Sequence, residues 1–299
     1  MNREKIKGVI TPILTPMKED GSIHEEELRR QIHRQLAGGV HGIFTAGTNG
    51  EGYILSGEEK ERILEIAIEE VQGRVPVYAG TGCISTAETI RLSRRAQDMG
   101  ADVLSVITPS FAQASQEELY EHYRAVAAAV EIPVVLYNIP ARTGNALAPD
   151  TVKRLSQVDN IAGVKDSSGN FDNMLQYIEG TREKDFAVLS GNDSLILWNL
   201  LAGGTGGIAG CANVYPGNMK DIYEHFMAGR LEEARHCQDK IRSFRRCFCY
   251  GNPNTVVKTA VALLGHAVGK CRKPFDYLPE EGIGAIRQVL LENEKLGMR

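Results

Sequence analysis

The 299-residue chain is short of most features that would send it to a membrane, a nucleic acid or a metal. No segment approaches the roughly 20 consecutive apolar residues of a membrane span. The charged start, Met1–Gly8, leads into no apolar stretch long enough for a secretory signal, so a cytoplasmic protein is expected. A formal net charge of −4 gives no electrostatic reason for binding polyanions or anionic lipid. The six cysteines are scattered, and the only close pair, Cys247-Phe248-Cys249, has no second pair and no histidines near it. The seven histidines show neither HxH nor HExxH spacing, so no metal and no cofactor is expected. No G-x-G-x-x-G follows the first apolar run, which weakens an open dinucleotide-binding sheet.

What the chain has in quantity is alternation. Short apolar, β-rich runs occur at Gly8–Leu14, Gly42–Thr45, Val75–Ala79, Val103–Ile107, Pro133–Tyr137, Ile161–Val164, Phe186–Ser190 and Thr205–Ala209. Helical patterns follow them at Glu25–Leu36, Gly57–Val71, Thr86–Met99, Gln116–Val130, Pro149–Leu155, Asn170–Ile178, Ser194–Leu201 and from Pro216. The runs are continuous rather than alternating, which marks parallel strands covered on both faces. Eight strand-then-helix units in about 225 residues predict a closed (β/α)8 barrel, with its active site at the C-terminal ends of the strands. Beyond that point the strand signal stops. Leu231–Phe244, Thr255–Leu264 and Ile283–Leu296 predict a C-terminal three-helix appendage, so the expected domains are a barrel over 1–225 and a helical domain over 226–299. No low-complexity linker separates them.

On this register the strand ends are mostly glycine and small polar residues; Tyr137 and Lys165, on neighbouring strands, are the strong acid–base and nucleophilic groups among them. A lysine closing a buried strand keeps its stem in apolar surroundings, and burial disfavours a charged ammonium over the neutral amine that a nucleophile needs. Gly47-Thr48-Asn49-Gly50 is suited to a nest of N–H groups and hydroxyls for a carboxylate. Together these suggest Schiff-base chemistry on a 2-oxo acid. Each residue also has a plainer reading: Lys165 as a surface lysine, Tyr137 as a half-buried strand tyrosine, the glycine loop as a tight turn.

The motifs Gly47-Thr48-Asn49-Gly50-Glu51, Tyr137-Asn138-Ile139-Pro140 with Arg142-Thr143-Gly144, Gly163-Val164-Lys165-Asp166, Gly203-Gly204-Thr205-Gly206-Gly207-Ile208, and Asn252-Pro253 with Lys258 closely resemble those of the dihydrodipicolinate synthase/N-acetylneuraminate lyase family of pyruvate-dependent class I aldolases. The resemblance spans essentially the whole chain. It implies that Lys165 forms an imine with pyruvate, that Tyr137 relays protons, that Thr48 hydrogen-bonds the tyrosine and that Ile208 offers backbone contacts to the 2-oxo acid. It also implies a metal-independent homotetramer built as a dimer of dimers. Arg142 matches the arginine that the synthases keep for the carboxylate of aspartate semialdehyde, a group suited to a bidentate guanidinium.

The chain departs from the synthase pattern in three respects. Asn49 stands where a second threonine usually meets the pyruvate carboxylate, and Ser110-Phe111 replaces a tyrosine pair, one member of which completes the proton relay across a dimer interface. Ile84 and Ser110 occupy the positions used for feedback by lysine, so no lysine inhibition is expected. Asp193-Ser194 keeps half of the Asp-Glu pair of the sialic acid lyases. Arg142 favours, first, condensation of pyruvate with aspartate semialdehyde, and the three departures cut the other way. The alternative is a 2-keto-3-deoxy sugar-acid aldolase, with Ser167 and Asp193 on substrate hydroxyls. A second alternative is a non-catalytic 2-oxo acid sensor.

Overall fold

The structure, a computed structural model, describes residues 5–298. The first four residues of the charged start considered above lie outside the described residues, as does Arg299. Eight strands, β1 (Gly8–Pro12), β2 (Gly42–Thr45), β3 (Val77–Gly80), β4 (Val103–Ile107), β5 (Val134–Asn138), β6 (Ile161–Asp166), β7 (Ala187–Ser190) and β8 (Gly206–Ile208), close in sequence order into one barrel. Nearly every strand residue is buried, because one side faces the barrel interior and the other faces helices. That double burial is why the runs are rich in Val, Ile, Leu and Ala without alternation.

The chain divides into two compact units. One holds Pro76–Ile208, together with the start of the chain up to Gly8. It carries β3 to β8 and the helices Thr86–Met99, Gln116–Ala127, Pro149–Leu155 and Phe171–Gly180. The other holds Val9–Val75 and residues from Ala209 onward. It carries most of β1, β2 and the helices Glu25–Ala37, Gly57–Val71, Pro216–Met227, Leu231–Lys240, Arg242–Arg246, Pro253–Leu263 and Glu280–Lys295.

Local chemistry explains most of the boundaries. Ser56 and Ser115 begin their helices with reciprocal capping boxes to Glu59 and Glu118, each worth about 1 kcal/mol at the cap. Ser85 caps the helix that Gly100, at φ 99°, ends in the left-handed region. Two details differ from the sequence reading. The predicted helix Leu231–Phe244 breaks at Ile241 into two pieces, and a four-residue helix, Pro140–Thr143, follows β5 where a loop was expected. The latter is opened by proline at its first position, which pre-sets φ for a helix, and is closed by Gly144 at φ 79°. Among the described residues no helix is long and apolar enough to cross a membrane.

Candidate active site

Strand register makes Tyr137 and Lys165 direct partners on β5 and β6. Their side chains are 3% and 4% exposed, and the Lys165 Nζ lies 3.6 Å from the centroid of the Tyr137 ring. The next pair along the same strands, Asn138 and Asp166, points the opposite way, as successive strand residues must. Asn138 donates through Nδ2 to Asp166 (2.8 Å) and to the Tyr177 hydroxyl (3.2 Å), and accepts from the Leu147 N–H (3.0 Å). Tyr177 belongs to the surrounding helix Phe171–Gly180, so Tyr137 and Lys165 face the barrel interior. Burial pushes the Asp166 carboxyl above the usual carboxylate range, against the pull of hydrogen bonds from Ser168 and Asn138. This polar layer ties β5 to β6 and thereby sets the pitch at which the amine meets the phenol ring.

Gly191, just past β7, lies beside the stem of the same lysine. A Cβ at this position would stand 1.9 Å from Ser167 Oγ and 2.9 Å from Lys165 Cε. The absence of a side chain therefore lets Ser167 and the Lys165 stem lie side by side. The Gly191 N–H donates to the Asp166 carbonyl at 2.7 Å, which holds the loop in place. Nothing in the sequence reading singled Gly191 out; a glycine directly after a strand, next to the loop that bears Asp193, was the available signal. Asp193 is buried at the start of a 3-10 turn, with Ser190 and Asn192 hydrogen-bonded to each other beside it. Ile208 ends β8 and is buried.

Arg142 lies apart in character: it is exposed, on the short helix Pro140–Thr143. Thr143 in that helix shares a hydrogen bond with Thr108 (2.8 Å). Asn145 behind it staples the loop after β4, donating to the Pro109 and Ala112 carbonyls and accepting from the Ala114 N–H, all at 2.8 Å. The stapled loop presents Phe111 at φ 80° and 98% exposed, with Ser110 half-buried beside it.

Thr48 and Asn49 belong to the other compact unit, in the turn after β2, and both are half-buried. A Cβ on Gly210 would come within 2.6 Å of the Asn49 side-chain amide, so Gly210 and Asn49 are close neighbours in this unit. Glu51, at the end of the turn, has no exposed surface and binds Lys258 Nζ at 2.6 Å. Lys258 was visible as a motif residue; its bond to Glu51, 207 positions away, was not.

One group has the composition of a metal site. Ligand atoms of Asp221, His225 and Cys237 lie within 4.8 Å of one another. Lys220 Nζ already pairs with Asp221 at 2.7 Å and Arg230 Nε donates to His225 Nδ1 at 3.0 Å, so cationic side chains hold two of the three ligands. Among the described residues no two cysteines are joined in a disulfide.

Known proteins match the chain over nearly its whole length. Residues 5–292 match the dihydrodipicolinate synthetase family. The chain is 40% identical over 291 residues to a 4-hydroxy-tetrahydrodipicolinate synthase of Methanothrix thermoacetophila, covering 97% of this chain and 98% of the relative. It is 41% identical over 297 residues to the protein of that name from Methanopyrus kandleri, covering 98% and 97%. A chloride-inhibited dihydrodipicolinate synthase from Acinetobacter baumannii, solved with pyruvate, superposes with a TM-score of 0.93 at 33% identity, covering 97% of this chain and 99% of that one. With the barrel, its paired Tyr137 and Lys165 and relatives matched from end to end, the chain belongs to the dihydrodipicolinate synthetase family.

Proposed function

We propose that this enzyme condenses pyruvate with aspartate semialdehyde through an imine on Lys165, as a 4-hydroxy-tetrahydrodipicolinate synthase. The observation that carries the reading is the buried Lys165 amine held against the Tyr137 ring on adjacent, registered strands. The Nζ lone pair attacks C2 of pyruvate, Tyr137 relays a proton from that nitrogen to the carbonyl oxygen and then a second proton to the same oxygen, which leaves as water. Loss of a C3 proton then gives the enamine, whose C3 forms the new bond to the aldehyde carbon. The family's pattern assigns Thr48 to the tyrosine hydroxyl, Asn49 and the Ile208 backbone to the 2-oxo acid, and the exposed Arg142 to the carboxylate of the incoming aldehyde. The working form is a homotetramer. Phe111 is exposed and in the left-handed region on a loop that Asn145 staples, a position that a subunit contact can cover.

A second reading, cleavage of a 2-keto-3-deoxy sugar acid, is favoured by Asp193 and Ser167, polar groups after β7 and β6 suited to sugar hydroxyls. Turnover with pyruvate and a panel of aspartate semialdehyde, glyceraldehyde, glycolaldehyde and tartronate semialdehyde decides between them. Aspartate semialdehyde is expected to be consumed fastest. Preference for a hydroxyaldehyde would favour the aldolase, and no consumption with any aldehyde would leave a 2-oxo acid sensor. Tyr137→Phe is expected to slow turnover by about 10²–10⁴-fold, the range of a positioned proton transfer, while pyruvate is still trapped on the enzyme by borohydride.

A further inference from the structure

The turn that carries Thr48 and Asn49 is held in an unusual way. Two of its non-glycine residues, Ala46 and Glu51, have φ of 52° and 58°. Side chains rarely adopt this region, and such residues persist where surrounding contacts over-determine them, typically at functional sites. Besides the Thr15 hydroxyl on the Gly50 carbonyl and bonds within the turn itself, the side-chain contacts come from the C-terminal part of the chain. Lys258, on the helix Pro253–Leu263, places its Nζ 2.6 Å from Glu51 Oε1, with the pair 1% and 0% exposed. The Arg272 N–H donates to the other carboxylate oxygen at 2.8 Å. One turn earlier on the same helix, Asn254 Nδ2 donates to the Thr48 carbonyl and, at 3.3 Å, to the Tyr53 hydroxyl. The helix therefore grips the turn at both ends, on either side of Asn49.

Stability alone does not account for this arrangement. A buried ion pair loses about as much in desolvation as it gains in attraction, and well-packed apolar residues serve stability equally well. What the pair supplies is direction: it holds Glu51 in a strained conformation, and with it the orientation of the N–H groups and side chains at Thr48 and Asn49.

We propose that Lys258, Glu51 and Asn254 are positioning residues that set the Thr48–Asn49 turn as a carboxylate cradle, so that affinity for the 2-oxo acid depends on the C-terminal helix. This deepens the functional reading above and rests on it. The clamp acts through the turn and touches no reacting atom, so its loss separates binding from chemistry.

The test uses the full-length enzyme and borohydride trapping with pyruvate as probe. The double variant Glu51→Gln/Lys258→Met removes both charges, conserves volume and leaves an amide oxygen at position 51 to accept from the Arg272 N–H. It is expected to raise the pyruvate concentration for half-maximal trapping by about tenfold or more, roughly one power of ten in affinity, with the maximal trapping rate retained. Asn254→Ala, which leaves the ion pair intact, is expected to shift half-saturation the same way by a smaller factor. It also decides the matter if the double variant does not fold. A pyruvate dependence unchanged in both variants overturns the clamp, as does a fall in maximal rate with half-saturation unmoved. Failure of the wild-type enzyme to trap pyruvate would instead overturn the functional reading beneath it.

Discussion

Among the described residues two lysines are almost completely buried, and the chain treats them differently. Lys258 lies on a C-terminal helix and has a carboxylate, Glu51, at 2.6 Å. Lys165 lies on a barrel strand and has an aromatic face, Tyr137, at 3.6 Å. A buried ammonium beside a buried carboxylate is fixed in charge and position, and both its lone pair and its mobility are lost to the pair. The Lys165 Nζ instead meets a neutral aromatic face. Burial by itself therefore does not identify a nucleophile; the partner does.

The sharpest way to break the comparison is to remove each amine while keeping the stem. Lys165→Met is expected to reduce condensation to background and leave the thermal unfolding transition near that of the wild type. Lys258→Met is expected to destabilise the fold by about 3–5 kcal/mol, because Glu51 is left charged and uncompensated in the interior. Chemical denaturation of the two variants, with turnover measured on each, checks both. If Lys258→Met unfolded like the wild type, the distinction between the lysines would fail.

Gly191→Ala probes how finely the Lys165 stem is held. The added methyl must displace Ser167 or Cε, and a displacement near 1 Å at the nucleophile is expected to slow imine trapping by up to about 10²-fold. Trapping at the wild-type rate would mean that the stem is free to move.

His122 sharpens the comparison from a third side, as a buried base whose ring bonds to the Thr86 hydroxyl at 2.9 Å. Burial pushes its pKa down to about 4. Between that value and the ordinary value near 6.5 the unfolded chain binds more protons than the folded one, so stability is full above about pH 6.5 and falls as pH drops toward 4. The loss at pH 4 is expected to be about 2–3 kcal/mol, at 1.36 kcal/mol per pKa unit. His122→Gln should flatten that part of the stability–pH curve, and an unchanged slope would assign the loss to other groups.

These contrasts also show what the sequence could and could not disclose. Strands and helices were legible because their signals are local. Continuous apolar runs gave the barrel, and the helical patterns placed most helix ends within a few residues. The pairing of Tyr137 with Lys165 followed from strand order once the barrel was counted. The short helix Pro140–Thr143 was missed because four residues carry no periodicity, and the break at Ile241 because the apolar pattern continues across it. The grip of Asn254 and Lys258 on the Thr48–Glu51 turn spans more than 200 residues of chain, beyond any spacing argument. Gly191 escaped because its importance lies in an atom that is not there.

The central claim, that the amine against the ring is the nucleophile and the amine against the carboxylate is not, meets its most direct test in one experiment. The wild-type enzyme is reduced with borohydride in the presence of pyruvate, digested, and the modified lysine located by peptide mass. A single adduct on Lys165, absent from Lys165→Met, is expected. An adduct on Lys258 or another lysine, or one that persists in Lys165→Met, would contradict it.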